Sequence, residues 1–184
     1  METRNNVFIG TSLDGYIADS QGGLDWLDII PNPEKIDMGY YAFTAQIDAL
    51  VMGRKSFETV CSFDIDWPYE KPVFVLSNTL NELPASFQDK AFLVKGPLTE
   101  ALRHIHQEGY RRLYIDGGVT IQNFLQEDLI DEMIITTIPV LLGGGVPLFG
   151  SLPKIQQFEL VESKVYLKDI VQRHYRRKSM SEKK

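Results

Sequence analysis

Apolar runs and amphipathic runs alternate along this chain from Asn5 to Gln126, and the apolar runs close on glycine or polar residues. This alternation limits the fold more than any other feature. Parallel strands need a long crossover between them, and a helix is the usual crossover. The apolar runs are Asn5–Ser12, Ala49–Gly53, Lys71–Ser77, Ala91–Lys95 and Arg112–Asp116. Between them, Arg54–Cys61, Pro97–Gln107 and Thr120–Gln126 carry apolar residues at helical spacing, as in Leu98, Ala101, Leu102 and Ile105. Asn32-Pro33-Glu34 has the form of a helix start, with a cap, a proline in the first turn and then an acid. Ile36, Tyr40, Phe43 and Ile47 continue it at helical spacing. After Gln126 the pattern changes. Met133–Val140 reads as a strand, and Gln157–Val165 with Asp169–Arg177 reads as a hairpin around Leu167-Lys168. The order predicts an α/β fold: a mostly parallel central sheet of about eight strands, helices on both faces and an antiparallel hairpin at one edge. Residues 1–178 read as one domain and 179–184 as a polar tail.

Composition removes several functional classes. Hydrophobic residues make up 43% of the 184 and charged residues 24%, as in a globular chain. A single cysteine, Cys61, excludes a disulfide framework and reads as inert core. His104 and His106 stand two apart on a helix and point in different directions, so no metal site is expected. The uncharged run from Met133 to Pro153 holds three prolines and four glycines, which disfavours a membrane helix. Neither a signal peptide nor a membrane partner is expected, and the chain reads as cytoplasmic. The net charge is −6, and the first 172 residues hold 13 bases against 24 acids. A body this acidic repels nucleic acid.

In open parallel sheets, ligands sit beyond the carboxyl ends of the strands. Gly53-Arg54-Lys55-Ser56 opens a helix directly after a strand. Unpaired N–H groups and two cations there suit a phosphate, although a solvated helix start would look the same. Asp116-Gly117-Gly118-Val119-Thr120 is a second such turn, either a close approach for a flat ligand or a tight packing turn. Neither is a Walker loop or the usual dinucleotide fingerprint. Asp37 lies one position off the Ile36–Phe43 apolar face. There it is either a pocket carboxylate with a pKa raised by desolvation or a solvated helix acid. Trp26 lines a pocket or belongs to the core.

Five fragments, in order, resemble the dihydrofolate reductase superfamily, and most closely its branch formed by the reductase domain of bifunctional riboflavin-biosynthesis deaminase-reductases. They are Ser12-Leu13-Asp14-Gly15-Tyr16-Ile17-Ala18, Val51-Met52-Gly53-Arg54-Lys55-Ser56-Phe57, Val75-Leu76-Ser77, Tyr114-Ile115-Asp116-Gly117-Gly118 with Phe124-Leu125, and Pro139–Gly144 with Pro147-Leu148-Phe149. The resemblance implies a three-layer sandwich, NADPH as cofactor and hydride transfer to a small molecule. It implies that Arg54, helped by Lys55, binds the 2′-phosphate, that Ser56 and the helix start hold the pyrophosphate, and that Leu76, Ser77 and Asn78 flank the adenosine. Gly53, Gly117, Gly118 and Thr120 would complete the cofactor site, and the resemblance allows a cis peptide between Gly117 and Gly118. Asp37 stands where the family's substrate-binding carboxylate is expected and would orient the substrate or relay a proton. Asp14, Tyr16, Trp26 and Tyr41 would contribute to the substrate side, with Tyr16 where the riboflavin branch often carries a base. A homodimer and a stand-alone member are implied. Three functions remain open: an NADPH-dependent reductase of a pteridine- or pyrimidine-like compound, a 5-amino-6-(5-phosphoribosylamino)uracil-type reductase, and a nucleotide-binding or sensor protein without turnover.

Overall fold

The computed structural model describes residues 2–178, so the polar tail expected at 179–184 lies outside the described residues. In chain order the strands are β1 (Arg4–Thr11), β2 (Tyr16–Ala18), β3 (Ala49–Gly53), β4 (Val73–Leu76), β5 (Ala91–Val94), β6 (Arg112–Asp116), β7 (Glu132–Thr137), β8 (Val146–Pro147), β9 (Phe158–Tyr166) and β10 (Ile170–Arg177). Eight of them form one sheet in the order β5-β4-β3-β6-β1-β7-β10-β9. The first six in that order are parallel, and the β9–β10 hairpin adds two antiparallel strands beside β7. The short strands β2 and β8 pair separately, with Tyr16 opposite Pro147 and Ala18 opposite Val146.

The helices are α1 (Tyr40–Thr44), α2 (Arg54–Cys61), α3 (Leu98–Gln107) and α4 (Gly118–Gln126). Strand residues alternate between the two sheet faces, so each central strand feeds two cores. Val51, Leu113 and Ile115 pack with Ala101, Ile105, Ile121 and Phe124 from α3 and α4. Leu50, Met52, Val73 and Tyr114 pack on the other face with Phe57 of α2 and with Tyr40 and Phe43 of α1. This is the expected three-layer arrangement. Burial on both faces explains why β3 reads as a continuous apolar run.

The helix expected from Asn32 does not form there. The Asn32 side chain closes a turn on itself, its Oδ1 accepting from Ile36 N–H at 2.9 Å and its Nδ2 donating to Ile36 O at 2.8 Å. Such side-chain bonds compete with helix formation. Lys35 and Met38 adopt φ of 50° and 51°, and Gly39 adopts 88°, so helical backbone begins only at Tyr40 and lasts five residues. No helix among the described residues is long and apolar enough to cross a membrane.

One side chain sets how the site-bearing strands align. Asp48 N–H donates to Arg112 O at 2.8 Å, and its Oδ2 accepts from the N–H groups of Arg111 and Arg112 at 2.9 and 2.8 Å. The resulting register pairs Ala49 with Leu113 and Met52 with Asp116, which brings Gly53 level with Gly117. Burial opposes ionisation of Asp48, but the Arg112 and Arg111 N–H bonds and nearby cations outweigh it and hold the carboxyl below its ordinary value. A carboxyl depressed in the folded state stabilises above its unfolded pKa, and this is lost as pH falls through the folded value. Asp48→Ala is therefore expected to lower unfolding free energy by about 1 kcal/mol at pH 7 in urea titrations, a figure kept small because the group is partly exposed. The gap between variant and wild type should shrink toward pH 3; a gap independent of pH would show that the carboxylate is not the clamp.

Candidate active site

A cavity of 1210 Å³ opens along the carboxyl ends of β1, β3, β4 and β6. This exceeds the about 300–1,000 Å³ of an ordinary single-ligand pocket, leaving room for two molecules side by side. All ten residues expected to bind a cofactor line it: Gly53, Arg54, Lys55, Ser56, Leu76, Ser77, Asn78, Gly117, Gly118 and Thr120.

Its floor is built from two Gly-x-x-hydroxyl turns on adjacent strands. Gly53 precedes α2, whose third residue is Ser56; Gly117 precedes α4, whose third residue is Thr120. Each glycine receives the other turn's hydroxyl. A Cβ on Gly117 would overlap Ser56 Oγ, and one on Gly53 would lie 2.9 Å from Thr120 Oγ1. Gly117 also has φ of +89°, which disfavours any L side chain. The Gly117–Gly118 peptide is trans, correcting the cis bond that the resemblance allowed. Gly118 in turn is roofed by Ile17 of β2 and Val146 of β8, so the small sheet forms a flap over the turn.

The α2 end of the cavity is cationic. Arg54 donates to Thr79 Oγ1 and pairs with Glu58, both at 3.3 Å, and its side chain is 43% exposed. That exposure leaves the guanidinium free to turn onto a ligand phosphate. Beyond β4, Asn78 Oδ1 accepts from Gly96 N–H at 2.7 Å and ties the ends of β4 and β5 together. Two glycine-opened helix starts, two cations and several hydroxyls form a donor set that fits the phosphates of a dinucleotide.

The β1 end differs. Phe8, Ile9, Gly10, Leu24 and Leu27 wall it, with Tyr69 and Tyr114 beside them. Asp116, which the sequence reading quoted in its motif but did not assign, stands at the end of β6 and lines the cavity. Burial pushes its carboxyl above the ordinary value, partly offset by the Gly117 N–H. The phenols of Tyr69 and Tyr114 are raised too, first by burial and then by Asp116. An acid closing the buried Leu113-Tyr114-Ile115 run of a parallel strand was the sequence signal for this group.

A family model for the RibD C-terminal domain matches residues 6–172. The chain belongs to the RibD C-terminal domain family. YwjB of Bacillus subtilis (strain 168) is 36% identical over 179 residues, spanning 95% of this chain and 98% of that protein. A Shewanella sp. PV-4 crystal structure, named for riboflavin biosynthesis, is 57% identical with a TM-score of 0.93, covering 96% of this chain and 99% of that one. Dihydrofolate reductase from Enterococcus faecalis, complexed with NADP(H) and RAB-propyl, shares the fold at 16% identity and a TM-score of 0.66, covering 96% of this chain and 97% of that one. RibD-type membership implies an oxidoreductase acting on a small molecule.

Five expected site residues of this RibD C-terminal domain lie away from the cavity lining. Asp37 is exposed and caps the short helix, its oxygens accepting from Tyr41 N–H at 2.8 Å and Gly39 N–H at 3.2 Å. Those bonds lower its pKa, so of the two readings Asp37 is the solvated acid and not a pocket carboxylate raised by desolvation. Asp14 accepts from Ser12 Oγ at 2.6 Å and from the N–H groups of Leu142 and Gly143 at 3.1 and 2.8 Å, so it pins the loop before β8. Tyr16 pairs with Pro147, Trp26 packs with Ile138 and Ile170 in a separate core, and Tyr41 is 75% exposed.

Two substitutions test this geometry. Gly117→Ala is expected to cost about 2–4 kcal/mol from positive φ and overlap together. Adding Ser56→Ala should return the overlap part only, so equal losses in the single and double variants would refute the tight seating. Asp116→Asn is expected to raise stability at pH 7 by about 1 kcal/mol, or about 2–4 °C in melting temperature. A carboxyl raised in the folded state carries no penalty below its unfolded pKa and an increasing one as pH climbs to the folded value. The gain should therefore vanish near pH 3.

Proposed function

We propose that this protein is an NADPH-dependent reductase that passes a hydride to a planar nitrogen heterocycle. The observation that carries the reading is the convergence of both glycine-opened helix starts, Arg54 and Lys55 on one cavity large enough for cofactor and substrate together. In this reading Arg54 and Lys55 take the 2′-phosphate. Ser56, Thr120 and the two helix starts hold the pyrophosphate. Leu76, Ser77 and Asn78 flank the adenosine, while Gly117 and Gly118 let the nicotinamide end approach the backbone. Once bound, the nicotinamide supplies the hydride. The chain supplies orientation, and the flap of β2 and β8 with the apolar β1 wall keeps water from the reacting faces. The Shewanella protein's name supports a place in riboflavin biosynthesis, where the substrate would be a ribosylaminopyrimidine phosphate. A sensor without turnover would bind the same cofactor and leave it unoxidised.

Calorimetric titration of NADPH and NADH, with Arg54→Ala beside the wild type, tests the cofactor assignment. NADPH should bind at least about tenfold more tightly than NADH, and Arg54→Ala should erase that preference, a change of about 1.4 kcal/mol. Binding of neither nucleotide would end the reductase reading.

A further inference from the structure

One face of α2 runs along the cavity. Ser56, Val60 and Phe63 follow one another at helical spacing, and all three line it. The near end of this stripe belongs to the cationic helix start. The far end is apolar, with Val60 in the last turn and Phe63, 41% exposed, just past the helix. The chain then enters the connection to β4, and Tyr69 on that connection lines the cavity as well.

Tyr69 and Tyr114 both border the cavity, but their hydroxyls are used differently. Tyr114 is buried, and its hydroxyl donates to Phe8 O at 2.9 Å. The Tyr69 hydroxyl makes no hydrogen bond to any described residue, and burial raises its pKa, so it stays a neutral donor at pH 7. Its ring is clamped. The ring centroid lies 5.3 Å from that of Trp67 with the planes at 79°, and Trp67 packs in turn on Phe57 and Phe87. Phe57 is buried in the core under α2. The donor is therefore held in place before any ligand arrives, which spares a ligand the cost of ordering it.

A half-buried hydroxyl without a partner favours a ligand that brings an acceptor. The apolar surroundings of Val60, Phe63 and Trp67 suit a neutral acceptor on a flat ring better than an anion. We propose that Tyr69 is a specificity-determining residue, its hydroxyl donating to a carbonyl oxygen on a flat ring that lies against Val60 and Phe63. That this ring belongs to the substrate rests on the reductase reading; its recognition by Tyr69 does not.

The test uses two probes, 1-indanone, a flat bicycle with one carbonyl, and indane, the same bicycle without it. Each is titrated calorimetrically into wild type, Tyr69→Phe and Phe63→Ala, all free of cofactor. Wild type should bind 1-indanone at least about tenfold more tightly than indane. Tyr69→Phe keeps the ring against Trp67 and should bring the two probes within about twofold of each other by weakening 1-indanone alone. Phe63→Ala should weaken both probes and keep the preference. Equal binding of the probes to wild type would overturn the proposal. So would a preference that survives in Tyr69→Phe, affinities that Phe63→Ala leaves unchanged, or failure of 1-indanone to bind. NADPH titrated into the same samples keeps the two readings apart: its failure to bind ends the reductase reading and leaves the probe result standing. A melting temperature of Tyr69→Phe equal to that of wild type shows that the loss is not unfolding.

Discussion

The site depends on a reciprocal seating of two hydroxyls on two glycines. Ser56 occupies the space that Gly117 leaves, and Thr120 crowds Gly53 in return. Neither contact forms unless β3 and β6 are in register, and the Asp48 clamp at the opposite end of those strands sets that register. A slip of one residue would separate the two turns and also exchange the sheet faces, placing Leu50 and Val51 in the wrong cores. The register that builds the hydrophobic cores is thus the register that brings the two helix starts together. The fold and the pairing of the two helix starts are consequences of the same alignment.

Much of the fold could be read from the sequence because buried parallel strands and amphipathic helices leave different periodicities. Arg112–Asp116 matches β6 at both ends, and the hairpin around Leu167-Lys168 lies where expected. The cationic end of the cavity was legible for a related reason. Its residues sit at strand-to-helix junctions, where glycine, cations and hydroxyls stand out against apolar runs. All ten positions line the cavity.

The β1 end was not legible in the same way. Residues 24–39 are shaped by local bonds of single side chains, such as Asn32 to Ile36 and Asp37 to Tyr41, rather than by a period. Ile36, Tyr40, Phe43 and Ile47 imitate a helix, but positive φ at Lys35, Met38 and Gly39 breaks it before Tyr40. Asp37 then spends its carboxylate on a cap. The acid that does line the cavity, Asp116, was hidden inside a motif whose glycines drew the attention. Tyr69 comes from a connection with no periodic pattern, and only the tertiary fold brings it beside Tyr114.

The two halves of the cavity come from different stretches of chain. Residues 53–56, 76–78 and 117–120 make the cationic half; the β1 wall comes from residues 8–10, Leu24 and Leu27, with Tyr69 from the segment after α2. The first set is locked by register and by the glycine seatings, so changes there disturb the scaffold. In the second, Leu24, Leu27 and Tyr69 lie outside the sheet, where side chains can be exchanged with the sheet intact. A lineage carrying this architecture can therefore drift toward new ligands by altering one wall, while the glycine-seated cationic half is inherited unchanged.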